Sequence, residues 1–322
     1  MRSIKINNVI YIILFILIYV IYLFHVSKLR SLNETTATTN ELDSILNPEF
    51  KTNLQINLEP NGLCKFKSKF IFIYIFTSVK SFTKRQLIRN TWANKSLNLF
   101  NFNLVFIIGK TNHSNNATNI DKLLHLEQQK YNDLIQGNFI DSYRNLSYKS
   151  LIAWKWIKNN CNNASYVFKL DDDVFLNIFK LKQILNNYNI FKSTSNSFIC
   201  KVPDSSPIRD PNSKWFVTEN EFNSKLYENG THNGGYPSYC SGVGVVMTPD
   251  IISKLYLKSF QIKLFWIDDV YVGILGKYIN VKFENIAGFY TNDLNSRLND
   301  VLFINAETKE DFINIWNLIN KS

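Results

Sequence analysis

The apolar run Tyr166-Val-Phe-Lys-Leu170 stops at three consecutive carboxylates, Asp171, Asp172 and Asp173. Open α/β sheets bind ligands beyond the carboxyl ends of their strands, so acids delivered there are placed to meet a metal-bound polyphosphate. Side chains alternate along a strand, so Asp171 and Asp173 are expected to share a face and aim oxygens at one hard cation, with Asp172 turned elsewhere. Mg²⁺ or Mn²⁺ suits such a pair and would neutralise a diphosphate. The ordinary alternative for an acidic triplet is a solvated turn. A second acidic pair, Asp268-Asp269, opens a helical pattern running through Val270 to Tyr278, where carboxylates also gain from the helix dipole alone.

The elements around these acids alternate in type. Phe70 to Phe76 is a continuous apolar run fit for a buried central strand, and Thr83 can cap a helix through Arg85, Ile88 and Trp92. Asn103 to Ile108 repeats the strand signal, while Ile120 to Tyr131 and Asn145 to Asn160 have helical spacing. After the strand into Asp171 come a helix near Ile178 to Leu185 and a short strand at Ser197 to Lys201. This order, β-α-β-α-α-β, predicts an α/β fold with a mostly parallel sheet covered by helices on both faces. The second half is irregular through Pro203, Pro207, Pro211 and Pro237, then regains order with a strand at Val245 to Met247 and a helix opened by Pro249. Thr308 with Asp311 begins a terminal helix ending near Ile319.

Val9 to Val26 is almost unbroken Ile, Leu, Val, Phe and Tyr. About 18 helical residues cover roughly 27 Å, which spans a bilayer core. No small-residue cleavage site follows, so the segment is read as an uncleaved transmembrane anchor. The expected organisation is a cytoplasmic tail over residues 1–8, the anchor over 9–26, a polar flexible stem over 27–62 and one domain over 63–322. Eight N-x-Ser/Thr triplets, headed by Asn33, Asn94, Asn112, Asn116, Asn145, Asn163, Asn229 and Asn320, are compatible with a lumenal location. Cys64, Cys161, Cys200 and Cys240 have no metal-binding spacing; they allow two disulfides in any of three connectivities, or buried thiols. The net charge of +10 comes from scattered Lys and Arg, not a stripe, which argues against nucleic acid and suits an anionic small ligand or acidic glycan.

Taken in order, several motifs become specific: Arg85-Gln-Leu-Ile-Arg-Asn-Thr-Trp92, Tyr131-Asn-Asp133, Asp141 through Lys149, Lys169-Leu-Asp-Asp-Asp173, Pro207-Ile-Arg-Asp210 with Lys214-Trp215, Tyr236 through Gly242, and Ile267-Asp-Asp-Val-Tyr-Val-Gly273. The series resembles the β-1,3-galactosyltransferase and β-1,3-N-acetylglucosaminyltransferase family, relatives of the Fringe enzymes (glycosyltransferase family 31), from about Phe70 to Trp316. The resemblance implies a GT-A-type domain in the Golgi lumen, anchored as a single-pass type II membrane protein. It further implies a hexosyltransferase that uses Mn²⁺ and inverts the anomeric centre. The donor would be UDP-galactose or UDP-N-acetylglucosamine and the acceptor a glycan. Asp171 and Asp173 would hold the metal, and Arg85, Arg89, Lys149 and Asp172 would bind the donor. Asp269 matches the family's base, with Asp268 orienting it. Arg85 and Arg89 could instead form a solvated helix face, and Lys149 and Trp215 could be packing residues.

Two positions depart from the family pattern. Relatives carry a metal-binding His where Asn305 stands, and an amide oxygen is a poorer Mn²⁺ ligand than imidazole. Relatives also have a Cys near Ile274 and Leu275, and a Gly where Cys200 stands, so the resemblance leaves the connectivity open, a rearranged disulfide of Cys200 with Cys240 being one of the choices. Asn305 also leaves room for a second reading, a catalytically silent relative that binds nucleotide sugar or glycan, or assists a partner transferase.

Overall fold

The computed structural model describes residues 53–65, 70–112, 117–186, 195–223, 235–285, 290–293 and 298–320. All fall in one unit, Pro48–Ser322. The expected span at 9–26 lies outside the described residues; among those described, no helix is long and apolar enough to cross a membrane.

The centre of the fold is β2 (Ile71–Phe76), six buried residues in a row. Period-two alternation sends Ile71, Ile73 and Ile75 into one core cluster and Phe72, Tyr74 and Phe76 into another. A strand packed on both faces needs apolar residues at every position, which is why its sequence reads as a continuous run. Around it form α1 (Phe82–Asn90), β3 (Phe102–Lys110), α2 (Ala117–Tyr131), β4 (Leu134–Ile140), α3 (Leu146–Asn160) and β5 (Tyr166–Asp171). Strands β4, β3, β2 and β5 lie side by side and run parallel.

The sheet is less parallel than the element order predicts. Its eight strands follow the order β1-β4-β3-β2-β5-β8-β7-β9. Here β1 (Ile56–Leu58) is antiparallel to β4, and β8 (Val245–Met247) is antiparallel to both β5 and β7 (Ser197–Cys200). Strand β9 (Lys282–Glu284) closes the far edge parallel to β7. The result is a mixed sheet around a four-stranded parallel centre. β4 also stands where the sequence suggested consecutive helices. Its apolar alternation is interrupted by Gln136, Gly137 and Asn138, and Gly137 is glycine because a Cβ there would lie 2.5 Å from Phe139 and 2.8 Å from Ile152.

A second, three-stranded sheet joins β10 (Tyr290–Thr291), β11 (Phe303–Asn305) and β6 (Val174–Leu176). Helices α4 (Ile178–Asn186), α5 (Pro249–Ser259), α6 (Asp268–Tyr278) and α7 (Lys309–Ile319) complete the described elements. α7 starts with the capping box expected from Thr308 and Asp311. The fold begins before residue 63, the boundary expected for the stem. β1 pairs with β4, Lys155 Nζ donates to the Leu54 carbonyl at 2.5 Å, and Trp156 Nε1 donates to Glu59 at 2.8 Å.

Of the three connectivities, the chain adopts Cys64–Cys161 and Cys200–Cys240. The first spans 97 residues and ties the segment before β2 to the end of α3. Closing so long a loop removes much unfolded-state entropy. Cys161→Ser is therefore expected to lower stability by about 2–5 kcal/mol, read as a reduced urea midpoint.

Candidate functional site

Lys169 lies on β5 two residues before Asp171, so both project from the same face. The Lys169 ammonium is 2.9 Å from Asp171 Oδ1 and 3.5 Å from both Asp268 Oδ2 and Asp269 Oδ1, with its side chain 6% exposed. It also lies 4.9 Å from the centre of the Phe76 ring. Burial works against its charge, but Asp171, Asp268 and Asp269 outweigh burial and hold it well above the usual lysine range.

The acids arrive from two directions. β5 supplies Asp171 at its carboxyl end, and the first turn of α6 supplies Asp268 and Asp269. They meet at Gly242. A Cβ on that residue would lie 2.8 Å from Asp171 Oδ2 and 2.9 Å from Asp269 Oδ2, so only glycine leaves the gap between them open. The loop carrying Gly242 is tied by the Cys200–Cys240 disulfide and by the Ser241 N–H to the Lys201 carbonyl. It packs against α6 where Gly273 faces Tyr239, with no room for a Cβ.

Three carboxylates around one ammonium leave excess negative charge. Burial, reinforced by the neighbouring carboxylates, holds Asp171 and Asp269 above the usual carboxylate range despite Lys169. Asp268 Oδ2 is buried without a hydrogen-bond partner among the described residues. Asp269 is the more accessible of the pair, its side chain 24% exposed against 9% for Asp268. It lines a cavity of about 310 Å³ with Ile208, Trp215, Tyr236 and Tyr239. The Tyr143 ring packs on Trp266 with centres 6.1 Å apart, and the Arg144 guanidinium stacks on the same Trp266 with its carbon 4.1 Å from the ring centre.

The expected metal set is only partly assembled. β5 ends at Asp171, and Asp172 and Asp173 lie in the turn before β6, so strand alternation does not set the direction of Asp173. Asp173 instead reaches Asn305 through the second sheet. Asn305 pairs with Val174, and the Ala306 N–H donates to the Asp173 carbonyl at 2.7 Å. The Asn305 amide donates to Glu307, a nearby acid that the motifs did not flag. Among the described residues no three His, Cys, Asp or Glu side chains form a metal cage. Asp171 at the carboxyl end of β5, Asp173 two residues on and Asn305 beside it across the second sheet are a donor set that suits a hard cation bound by one or two carboxylates plus the phosphates of its ligand.

The expected donor residues sort differently. Asp172 accepts from the Thr77 hydroxyl at 2.7 Å and from Lys84 at 3.0 Å, joining the loop after β2 to the acid turn. Lys149 is buried; its ammonium donates to the Thr77 carbonyl at 2.6 Å and pairs with Asp141 at 2.8 Å. Asp141 accepts in turn from the N–H groups of Val79 and Gly109. Arg85 is 0% exposed, bound through two nitrogens to Glu127 and through a third to the Ser78 carbonyl. Arg89 pairs with Glu127 and Asp133 and lies 4.0 Å over the Tyr131 ring.

Arg85, expected at the donor, has no exposed surface here and is engaged by Glu127 and the Ser78 carbonyl. Lys149 and Arg89 likewise sit in the scaffold, where they fix the loop after β2 and the packing of α1 on α2. Lys169 is the residue the motif reading left without a role; its position two residues from Asp171 was the available signal.

Residues 83–287 match a family model described as Galactosyltransferase. The chain is 31% identical over 271 residues to beta-1,3-galactosyltransferase 1 of Mus musculus, covering 80% of this chain and 76% of that one. It is 27% identical over 265 residues to N-acetyllactosaminide beta-1,3-N-acetylglucosaminyltransferase 2 of Homo sapiens, covering 80% and 64%. Among solved structures, the WbbM bifunctional glycosyltransferase aligns with a TM-score of 0.41 and 13% identity over 82% of this chain and 53% of that one.

Removing Arg85 would leave Glu127 buried with only Arg89 as its partner. Arg85→Met is expected to lower stability by about 3–5 kcal/mol in a denaturation titration. Nucleotide affinity of the remaining folded protein should stay near that of the unaltered chain in calorimetry.

Proposed function

This chain belongs to the galactosyltransferase family, and from that premise we propose that it is an inverting enzyme moving galactose or N-acetylglucosamine from UDP to a glycan acceptor in β-1,3 linkage. One observation carries the reading: Asp269 and Asp171 close on Gly242 from opposite elements, with Asp269 open to an aromatic cavity. The acceptor hydroxyl oxygen attacks C1 of the donor sugar, the C1–O bond to phosphate breaks, UDP leaves, and Asp269 takes the hydroxyl proton. A base held above the usual carboxylate range is a stronger proton acceptor. Lys169 fixes its position and is itself held by Asp268, which is more enclosed than Asp269 and so less able to reach the acceptor.

Among the described residues lining the cavity there is no Lys or Arg, which favours a neutral sugar ring against the faces of Trp215, Tyr236 and Tyr239. Asp171, Asp173 and Asn305 would hold Mn²⁺, which when bound supplies positive charge to the diphosphate leaving group. The location proposed is the Golgi lumen, with residues 9–26 as a type II membrane anchor. Support comes from two disulfides, which persist in oxidising compartments.

Asp269→Asn keeps the size of the side chain but cannot accept a proton. Single-turnover transfer is expected to fall by about 10²–10⁴-fold, with little change in UDP-sugar affinity. Asp268→Asn should lose less; a larger loss there would move the base to Asp268. Trp215→Ala is expected to raise the acceptor KM by about three- to tenfold and leave the donor KM unchanged in steady-state assays.

A further inference from the structure

Three N-x-Ser/Thr triplets lie wholly among the described residues: Asn94-Lys95-Ser96, Asn145-Leu146-Ser147 and Asn163-Ala164-Ser165. The fold treats them differently. β2, β3, β4 and β5 run parallel, and the acids stand at their carboxyl ends. Asn94 lies in the connection entering β3, and Asn163 in the connection entering β5. Both therefore occupy the amino-terminal rim of the sheet, away from the acids. The Ser165 N–H donates to the Phe70 carbonyl beside the start of β2, fixing its triplet there, and Asn163 is exposed. Asn94 Oδ1 accepts from both the N–H and the hydroxyl of Ser96, at 3.0 and 2.8 Å. That turn occupies the amide oxygen and leaves the nitrogen as the atom open to substitution.

Asn145 stands at the opposite rim, just beyond β4. Its amide nitrogen donates to the Ile140 carbonyl at 2.8 Å. Ser147 is 0% exposed, and its hydroxyl donates to the Phe265 carbonyl. The adjoining Tyr143 ring packs on Trp266, 6.1 Å between centres, next to Ile267 of the cavity lining. A bulky substituent on Asn145 would disturb the start of α3 beside the cavity, whereas substituents on the other two asparagines would leave the cavity and the acids open.

We propose that the folded protein carries N-linked oligosaccharides at Asn94 and Asn163 and none at Asn145. The modification rests on the lumenal reading above and needs a lipid-diphosphate-linked oligosaccharide as co-reactant. The asparagine amide nitrogen bonds to C1 of the sugar, the C1–O bond to the lipid diphosphate breaks, and the nitrogen gives up one proton as the lipid diphosphate leaves.

The test uses the full chain, expressed in a eukaryotic secretory host with an Asn-Gly-Thr acceptor tag at its carboxyl end. The folded fraction is deglycosylated enzymatically in heavy-oxygen water, and labelled aspartates are located by peptide mass spectrometry. Label is expected at Asn94, Asn163 and the tag, and not at Asn145. A labelled tag with Asn94 or Asn163 unlabelled, or label at Asn145, overturns the assignment and leaves the lumenal reading standing. An unlabelled tag overturns the lumenal reading, and the proposal falls with it.

Discussion

A single buried ammonium holds the working end of this fold together. Lys169 touches Asp171 on its own strand and reaches Asp268 and Asp269 at the start of α6, 100 residues along the chain. Taking such charges out of water costs several kcal/mol per ion unless each finds a partner. The geometry therefore has to be tight, and two glycines make it so: Gly242 lets the carboxylates close, and Gly273 lets α6 approach Tyr239. Because three acids share one lysine, the site retains negative charge. On the proposed reading, that excess would suit a cation brought in with a diphosphate, and burial with the neighbouring carboxylates raises the proton affinity of Asp269.

The remaining buried charges serve position. Arg85, Arg89, Glu127 and Asp133 join α1 to α2 and the start of β4. Lys149 and Asp141 collect the backbone of Thr77, Val79 and Gly109 at the carboxyl ends of β2 and β3. The loop that meets Asp172 through Thr77, beside Lys84 of α1, is thus fixed from behind by one network and from the side by the other. Residues that look like ligand-binding cations in the sequence prepare the floor on which a ligand would sit.

Much of this was legible before the fold was known, for identifiable reasons. β2, β3 and β5 announce themselves because burial on both faces demands unbroken apolar runs. β4 does not, since Gln136-Gly137-Asn138 interrupts its pattern, and the two- and three-residue strands β9, β10 and β11 are too short to show a period. The acidic motifs drew attention to Asp171, Asp268 and Asp269, which the fold gathers around Lys169, but strand alternation does not set the direction of Asp173, which lies past the end of β5. Composition could count the cysteines without pairing them. Nor could helical spacing tell whether Arg85 faces solvent, a ligand or Glu127; that depends on α2, far away in sequence.

The central claim is that this site transfers a sugar by single displacement with Asp269 as base. The most direct measurement incubates the purified protein with a panel of UDP-sugars and neutral glycan acceptors, with and without Mn²⁺, and reads the product's linkage and anomeric configuration by NMR. The account predicts a β-1,3-linked product from UDP-galactose or UDP-N-acetylglucosamine, formed with inversion and dependent on Mn²⁺. An α-linked product, or no transfer from any donor to any acceptor, would contradict it.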